Sequence, residues 1–211
     1  MEILLHPGYF PNCATFALLA QTTVTWEVHD NYQKQTFRNR THICTDRGRH
    51  MLNIPIEHVG GDKGRQKYSD VRLKNEYAWQ RQHLKTLQTA YRTSPFFEFY
   101  EDDLVPFFER QFTFLLDMNF EGLQLMASLL GFELSSQKTA AYQTDSKPNI
   151  DARFMIGAKQ DLLWQQQTYT QVFDDRHGFI PNASILDLLF NEGPNTLSYL
   201  KNQDLSFMDG Q

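Results

Sequence analysis

The chain has 211 residues, of which 41% are hydrophobic and 14% aromatic, so it can bury a substantial core and is not a disordered protein. Its net charge of −5 argues against general binding to nucleic acid, and no apolar run reaches the roughly 18 residues that a membrane span needs. Two cysteines outside any metal-type spacing and no signal-peptide pattern predict free thiols in a cytoplasmic protein without stable membrane insertion.

The first thirty residues predict a βαβ unit. Apolar runs at 2–5 and 24–28 are typical of buried strands, and the stretch between them has apolar residues at helical spacing. Such a unit implies two parallel strands, whose following loops lie at the same edge of the sheet. We therefore expect His6 and Tyr9 to lie close to residues 29–34.

A β-hairpin is predicted next, from residues 40–44 and 51–56, which flank a turn at 45–48. The glycine-rich, basic segment at 58–69 could fold over an anionic ligand or form a surface loop. It is not a Walker loop, because no Gly-Lys-Ser/Thr follows the glycines.

Helical periodicity dominates the second half of the chain. Helices are predicted over residues 78–92, 104–118, 120–130, 184–192 and 195–201. Three acids before residue 104 favour the dipole at the start of the second of these helices. In the fourth, Asp187 follows the N-cap Ser184 by three residues, which predicts a capping box.

These elements predict a mixed α/β fold, with α+β as the alternative class. A small mixed sheet from the N-terminal half should pack with helices from the C-terminal half, in a single domain over residues 1–211. Residues 132–134 are a short strand candidate, 135–150 a polar loop, and 151–175 either strands or irregular structure.

Residues 29–40, HDNYQKQTFRNR, are the densest group of chemically active side chains in the chain. They follow a predicted buried strand, which is where α/β proteins tend to bind ligands. Residues 34–92 carry thirteen basic and five acidic residues, whereas residues 93–211 carry seven and seventeen. The basic part could attract an anionic small molecule or could pair with the acidic part.

Several segments, in order along the chain, resemble the WbqC-like protein family. They are HPGYFP at 6–11, HDNYQKQTFRNR at 29–40, LNIPI at 52–56, YRTSPFFEFY at 91–100 and YTQVFDDRHGFIPNASILDLLFNEG at 169–193. The family pattern often has Gln where His6 stands and Trp where Phe37 stands.

The resemblance implies a bacterial protein of O-antigen or other surface polysaccharide biosynthesis. The activity it suggests is transfer of an acyl or aminoacyl group, such as glycyl, to the amine of a nucleotide-linked or lipid-linked amino sugar. The alternative is a non-catalytic module of the pathway that binds a sugar or a partner. A nucleotidyltransferase would need a second phosphate loop, which the sequence does not contain.

On this interpretation Asp30 or His29 supplies the base, with Lys34 as the third catalytic residue. The substrate-binding residues are His6, Tyr9, Tyr32, Gln33, Arg38, Asn39, Arg40, Tyr169 and Gln171. The alternative is a buried network in which Arg38 and Arg40 pair with Asp30 and Asp187. The sequence predicts no cofactor and no metal site, since its histidines lack metal-binding spacing.

Overall fold

A computed structural model describes residues 2–57, 65–144, 146, 149–159 and 162–208 of the chain. Its strands are β1 (Glu2–Leu5), β2 (Thr23–Trp26), β3 (Arg40–Thr45), β4 (Gly48–Asn53) and β5 (Ile150–Asp151). Its helices are α1 (Cys13–Gln21), α2 (Trp79–Tyr91), α3 (Phe97–Glu109), α4 (Leu115–Leu130), α5 (Asp174–His177), α6 (Ile185–Glu192) and α7 (Thr196–Lys201). The mixed α/β class is confirmed.

The three-stranded sheet has the order β2-β1-β5, and both neighbours are parallel to β1. Ile3 pairs with Val24 on one side and with Ile150 on the other, and β1 is buried from Ile3 to Leu5. The predicted βαβ opening is confirmed. The third strand comes from the second half of the chain, at the end of the stretch expected to be a polar loop.

The predicted hairpin is confirmed as β3 and β4, which are antiparallel with Arg40 paired to Asn53. Its turn is tight, since Thr45 pairs with Gly48, whose φ of 93° suits a glycine. The hairpin is bonded to α6, because the Ser184 amide donates to the His42 carbonyl over 2.7 Å. Helix α6 also contacts α1, α3 and α7, which places it at the centre of the helical layer.

The helix predicted over 104–118 is wrong: α3 ends at Glu109, and a new helix begins at Leu115. Backbone groups in the gap pair with a distant segment. Leu73 N donates to Thr113 O over 3.0 Å, and Leu115 N donates to Val71 O over 2.9 Å. These long-range bonds satisfy groups that a continuous helix would have paired internally. The acids expected before the helix therefore lie within α3.

Three further predictions concern the end of α4, residues 132–134 and the glycine-rich segment. Helix α4 ends at Gly131, whose φ is 75°, so the predicted C-cap is confirmed. Residues 132–134 form no strand, and Arg153–Ile156 is a 3₁₀ turn. Residues 58–64, most of the glycine-rich segment, lie outside the described part of the chain. In the described part, no helix is long and apolar enough to cross a bilayer.

Gly8 marks a close backbone approach between the loop after β1 and residues 36–38. The Tyr9 amide donates to the Phe37 carbonyl over 2.9 Å. A Cβ added to Gly8 would lie 3.0 Å from that carbonyl oxygen and 3.2 Å from Ile156 Cδ1. A side chain at position 8 would push these two segments apart.

We expect Gly8→Ala to lower the free energy of unfolding by about 1–3 kcal/mol, because overpacking at a fixed backbone contact is strained. Urea unfolding measures the change. Gly122→Ala in α4 is the matched control: its Cβ would make an ordinary 3.4 Å contact with Phe107. The gain in helix propensity there should leave stability unchanged or raise it by up to about 1 kcal/mol. Equal effects at both positions would contradict the close approach.

Candidate functional site

Charged or polar side chains lie at the carboxyl end of each strand of the parallel sheet. His6 follows β1, Glu27 follows β2, and Arg153 lies two residues beyond β5. Backbone bonds extend the sheet here, since Glu27 N donates to Leu5 O and Ala152 N to Leu4 O. In open parallel sheets this edge is the usual place for a ligand.

Asp30 is the meeting point of the first two loops. Its Oδ2 lies 2.8 Å from Arg38 Nη2 and 3.3 Å from His6 Nε2, and its Oδ1 accepts the Asn31 amide at 2.6 Å. All three side chains are buried. The expected proximity of His6 to residues 29–34 is thus confirmed.

Arg38 is held inside the protein and is wholly buried. Its guanidinium lies 5.2 Å from the centre of the Tyr68 ring, and burial lowers its pKa while Tyr68 and Asp30 oppose that shift. Within the described residues its Nε and Nη1 have no hydrogen-bond partner, and neither does the buried Nε of Arg40. The Arg38–Asp30 half of the expected ion-pair network is confirmed. Arg40 forms no ion pair within the described residues, and Asp187 has other partners.

His6 is neutral at pH 7, because burial, helped by the Arg38 charge, lowers its pKa to about 3. Its Nδ1 faces the Glu27 carbonyl at 3.2 Å, and its Nε2 faces the Asp30 carboxylate. A neutral ring carries one N–H and can donate to only one of these acceptors. The other ring nitrogen presents a lone pair within the buried cluster.

Glu27 anchors the loop that follows β2 and is fully buried. Its Oε1 accepts the His29 amide at 2.8 Å and the Thr139 hydroxyl at 3.0 Å, and its Oε2 accepts the Gln143 amide at 3.1 Å. Arg153 Nη1 lies 3.8 Å from the same Oε2. Neither Glu27 nor Arg153 was predicted as a site residue. The sequence signal that could have identified Glu27 is its position as an acid within the apolar run at 24–28.

The other two predicted catalytic residues do not join Asp30. The His29 ring lies with its Nε2 2.9 Å from the Thr139 carbonyl, which fixes the ring on the loop. Lys34 is exposed and makes no ion pair within the described residues, and Gln33 beside it is also exposed. The three predicted catalytic residues therefore do not form one cluster: Asp30 is buried at the sheet edge, and Lys34 is exposed to solvent.

The predicted binding residues near this segment also separate. Tyr9 is fully buried, and its hydroxyl lies 2.9 Å from His83 Nδ1. Asn39 secures the hairpin, since its Nδ2 donates to the Ile54 carbonyl over 3.0 Å. Tyr32 is half-buried, with its ring centre 6.5 Å from that of Tyr68. His6, Arg38 and Tyr32 thus lie around Asp30 and Tyr68, whereas Tyr9 points towards α2.

Tyr169 and Gln171 belong to a different buried cluster, centred on Asp187. Asp187 Oδ1 accepts the Tyr91 hydroxyl at 2.7 Å, and its Oδ2 accepts the Tyr169 hydroxyl at 2.5 Å and Gln171 Nε2 at 2.9 Å. Burial raises the pKa of Asp187, and these bonds oppose the rise. The capping box is wrong: Ser184 caps α6 at the Leu186 amide, while the Asp187 carboxylate points into the core.

A cavity of about 510 Å³ opens beside Phe37, and the sequence did not predict it. Its volume lies within the usual range for small-molecule sites. The aromatic and apolar lining includes Phe37, Phe154, Met155, Trp164 and Phe207, and the polar lining includes Asn12, His42, Arg49 and Asn182. Its walls come from five separate parts of the chain, so it leaves no local pattern in the sequence.

Two asparagines and an arginine supply hydrogen-bond donors to this cavity. Asn12 Oδ1 accepts the Thr15 amide, and Asn182 Oδ1 accepts the Ala14 amide, each at 3.0 Å. Both side-chain oxygens are therefore used to cap α1, which leaves the Nδ2 groups as the free ends of these two cavity-lining residues. Arg49 adds a cation, and no Asp or Glu is among the described lining residues. The cavity suits a ligand with acceptor or anionic groups and a flat or apolar ring.

A small void of about 10 Å³ lies between the cavity and the buried edge. Asn12, Phe37 and Met155 line both spaces, and His6 lines only the void. This volume is close to that of a single water molecule. Within the described residues, no group of three or more His, Cys, Asp and Glu side chains is arranged to hold a metal ion.

Comparison with known proteins gives one family and one relative. The sequence profile of the WbqC-like protein family matches residues 6–160, which include the Asp30 cluster and part of the cavity lining. A Mycobacterium tuberculosis (strain ATCC 25618 / H37Rv) protein, Uncharacterized protein Rv1507c, is 28% identical over 229 residues, covering 94% of this chain and 96% of that protein. No solved structure matches the chain.

We expect His6 to make the folded protein less stable in acid. Between pH 6.5 and about 3 the unfolded chain binds a proton at His6 that the folded protein does not, so stability falls as the pH falls through this window. His6→Gln lacks this contribution, and the other histidines are common to both proteins. The stability advantage of the wild type over His6→Gln should shrink from pH 7 to pH 4 in urea unfolding. Parallel pH curves would contradict a neutral His6.

We expect Tyr169→Phe to lower the free energy of unfolding by about 1–3 kcal/mol, because the buried Asp187 carboxylate loses a donor. Chemical denaturation measures this change. Tyr77→Phe is the control. Tyr77 is 60% exposed, so this substitution should change stability by less than about 0.5 kcal/mol. Unchanged stability together with weaker ligand binding would instead support the predicted binding role of Tyr169.

Proposed function

The chain belongs to the WbqC-like protein family, and we propose that it serves bacterial surface polysaccharide biosynthesis by binding an amino sugar linked to a nucleotide or to a lipid phosphate. The cavity beside Phe37 is the binding site on this proposal. The single observation that carries it is a cavity that combines two amide donors and the Arg49 cation with four aromatic side chains.

The chemistry of such a ligand fits this lining. A sugar or base ring packs against aromatic faces such as Phe37 and Trp164. Its hydroxyl and carbonyl oxygens accept hydrogen bonds from amide nitrogens, and a phosphate binds the Arg49 guanidinium. The absence of Asp and Glu among the described lining residues favours an anion over a cation.

Acyl or aminoacyl transfer is the second candidate function, and the void beside His6 favours it. In this reaction the sugar amine attacks the acyl carbon, the new C–N bond forms, the bond to the leaving group breaks, and the amine loses a proton. The Asp30 carboxylate, 3.3 Å from the void-lining His6, is the proton acceptor on this candidate, because His6 with a pKa of about 3 is too weak a base. Asp30 is already paired with Arg38. Because of this pairing, sugar binding is the first candidate function, and transfer is the second.

We expect UDP- or dTDP-linked amino sugars, or a short-chain prenyl diphosphate amino sugar, to raise the melting temperature of the protein. A hundredfold excess over the dissociation constant adds about 2.7 kcal/mol of stability. Arg49→Gln should weaken the binding of the same ligand roughly tenfold to a hundredfold, because a charged hydrogen bond is lost. Isothermal titration calorimetry measures the dissociation constants.

Arg47→Gln is the matched control, since Arg47 lies on the same hairpin and does not line the cavity. Its affinity should equal that of the wild type. Arg40→Ala tests the alternative location on residues 29–40. Binding that Arg40→Ala abolishes and Arg49→Gln preserves would move the site there, and no shift with any of the three ligand types would refute the proposal.

A further inference from the structure

A second concave surface, the basic groove, lies on the outside of the molecule between the hairpin turn, α2 and α5. Arg47 and His50 line it from the hairpin, Lys85 from α2 and Arg176 from α5. Asp46 is the acid among its described lining residues, and its carboxylate lies 3.8 Å from Arg176 in a pair with both side chains more than half exposed. Arg47, Lys85 and Arg176 outnumber this one acid, so the described lining of the groove carries a net positive charge.

The groove also has an apolar part. Phe173 and Ala90 line it, and the Arg176 guanidinium lies 5.4 Å from the centre of the Phe173 ring. The hydroxyls of Thr86 and Thr89 donate to carbonyls of their own helix, Gln82 O and Lys85 O, over 2.8 Å each. These two hydroxyls are therefore used within α2, and the cations and the apolar surface are the features of the groove that a partner can contact.

Helix α3 presents the complementary surface, the acidic strip. Glu98, Asp102 and Glu109 recur at helical spacing along its outer face and are exposed. Phe99 lies beside them and is 75% exposed, although it is a large aromatic residue on a regular helix. An exposed aromatic side chain flanked by carboxylates is a suitable anchor for an apolar pocket edged by cations.

The strip and the groove lie on adjacent sides of α2. Helix α3 packs along one side, where Glu101 accepts Arg92 Nη2 at 2.9 Å and Gln88 Nε2 at 2.8 Å. Lys85 and Thr89, one turn apart, line the groove on the neighbouring face of α2, since positions 85, 88, 89 and 92 are at helical spacing. Because the two surfaces are adjacent, a two-fold axis that passes between them places the strip of each copy opposite the groove of the other.

We infer that the chain associates with a second copy of itself, with the acidic strip of each copy docked in the basic groove of its partner. The interface is made twice and closes on itself, as a two-fold interface requires. The excess of basic residues at 34–92 and of acidic residues at 93–211 is then met across the interface as well as within one chain.

Sedimentation velocity of the full chain tests this inference. The wild type should be dimeric at about 50 mM salt, and its dissociation constant should rise at least about tenfold at about 300 mM, because exposed charge pairs are screened. Phe99→Ser should weaken the dimer by a further tenfold or more without unfolding, since the side chain is exposed. Lys201→Glu, an exposed charge reversal on α7 outside both surfaces, should leave the dimer intact.

Two charge-reversed variants give the decisive result. Lys85→Glu and Asp102→Lys should each be monomeric, because like charges meet in both contacts of either homodimer. An equal mixture should form a heterodimer, since one contact is then wild type and the other has the charges exchanged. A wild type that stays monomeric at about 50 mM salt, or a mixture that stays monomeric, would overturn the inference. Circular dichroism confirms that each variant is folded, and sugar binding by the monomeric variants keeps this result separate from the proposed function.

Discussion

The buried ion pair between Asp30 and Arg38 is the interaction on which the arrangement of the sheet edge depends. A charge inside a protein must be paired, and loss of one partner from such a pair costs about 3–5 kcal/mol. The backbone around the pair is tied to it, since Asp30 O accepts the Tyr68 amide and Arg38 O accepts Asn119 Nδ2. The Tyr68 hydroxyl in turn donates to the Pro7 carbonyl. One ion pair thus fixes the loops after β1 and β2 against α4.

The elements that sequence reasoning predicted correctly are those whose signal is local. The βαβ opening and the hairpin depend on apolar runs and a tight turn, and the family was recognised from short segments in order. The break between α3 and α4 could not be read locally, because the bonds that cause it run from Thr113 and Leu115 to residues about forty positions earlier. Asp187 was misread for a related reason: its spacing from Ser184 suits a cap, while its true partners, Tyr91 and Tyr169, come from other segments.

The candidate site likewise has a part that the sequence reveals, residues 29–40, and a part that it does not, the cavity. Residues 29–40 stand out in the sequence because they concentrate charge, yet much of that charge is used internally, with Arg38 fully buried against Asp30 and Tyr68. The cavity has the opposite character, since its lining is mostly apolar residues and amides that are unremarkable one by one. Phe37 and Asn12 connect the cavity with the ion-pair cluster, because both residues line the cavity and also the void that His6 lines. Charge in this protein positions the loops, and the cavity proposed as the ligand site lies beside them.

Asn12 and Asn182 each use one end of an amide for the fold and leave the other end for the cavity. The preference of the cavity for acceptors is therefore inherited from the capping of α1. An aspartate at either position could still accept the same backbone amide, and its charge would favour the helix dipole. It would replace a donor at the cavity wall with an acceptor. Helix capping and cavity polarity are thus separable at these two positions, so the hydrogen-bonding character of the cavity wall can change while α1 keeps its caps.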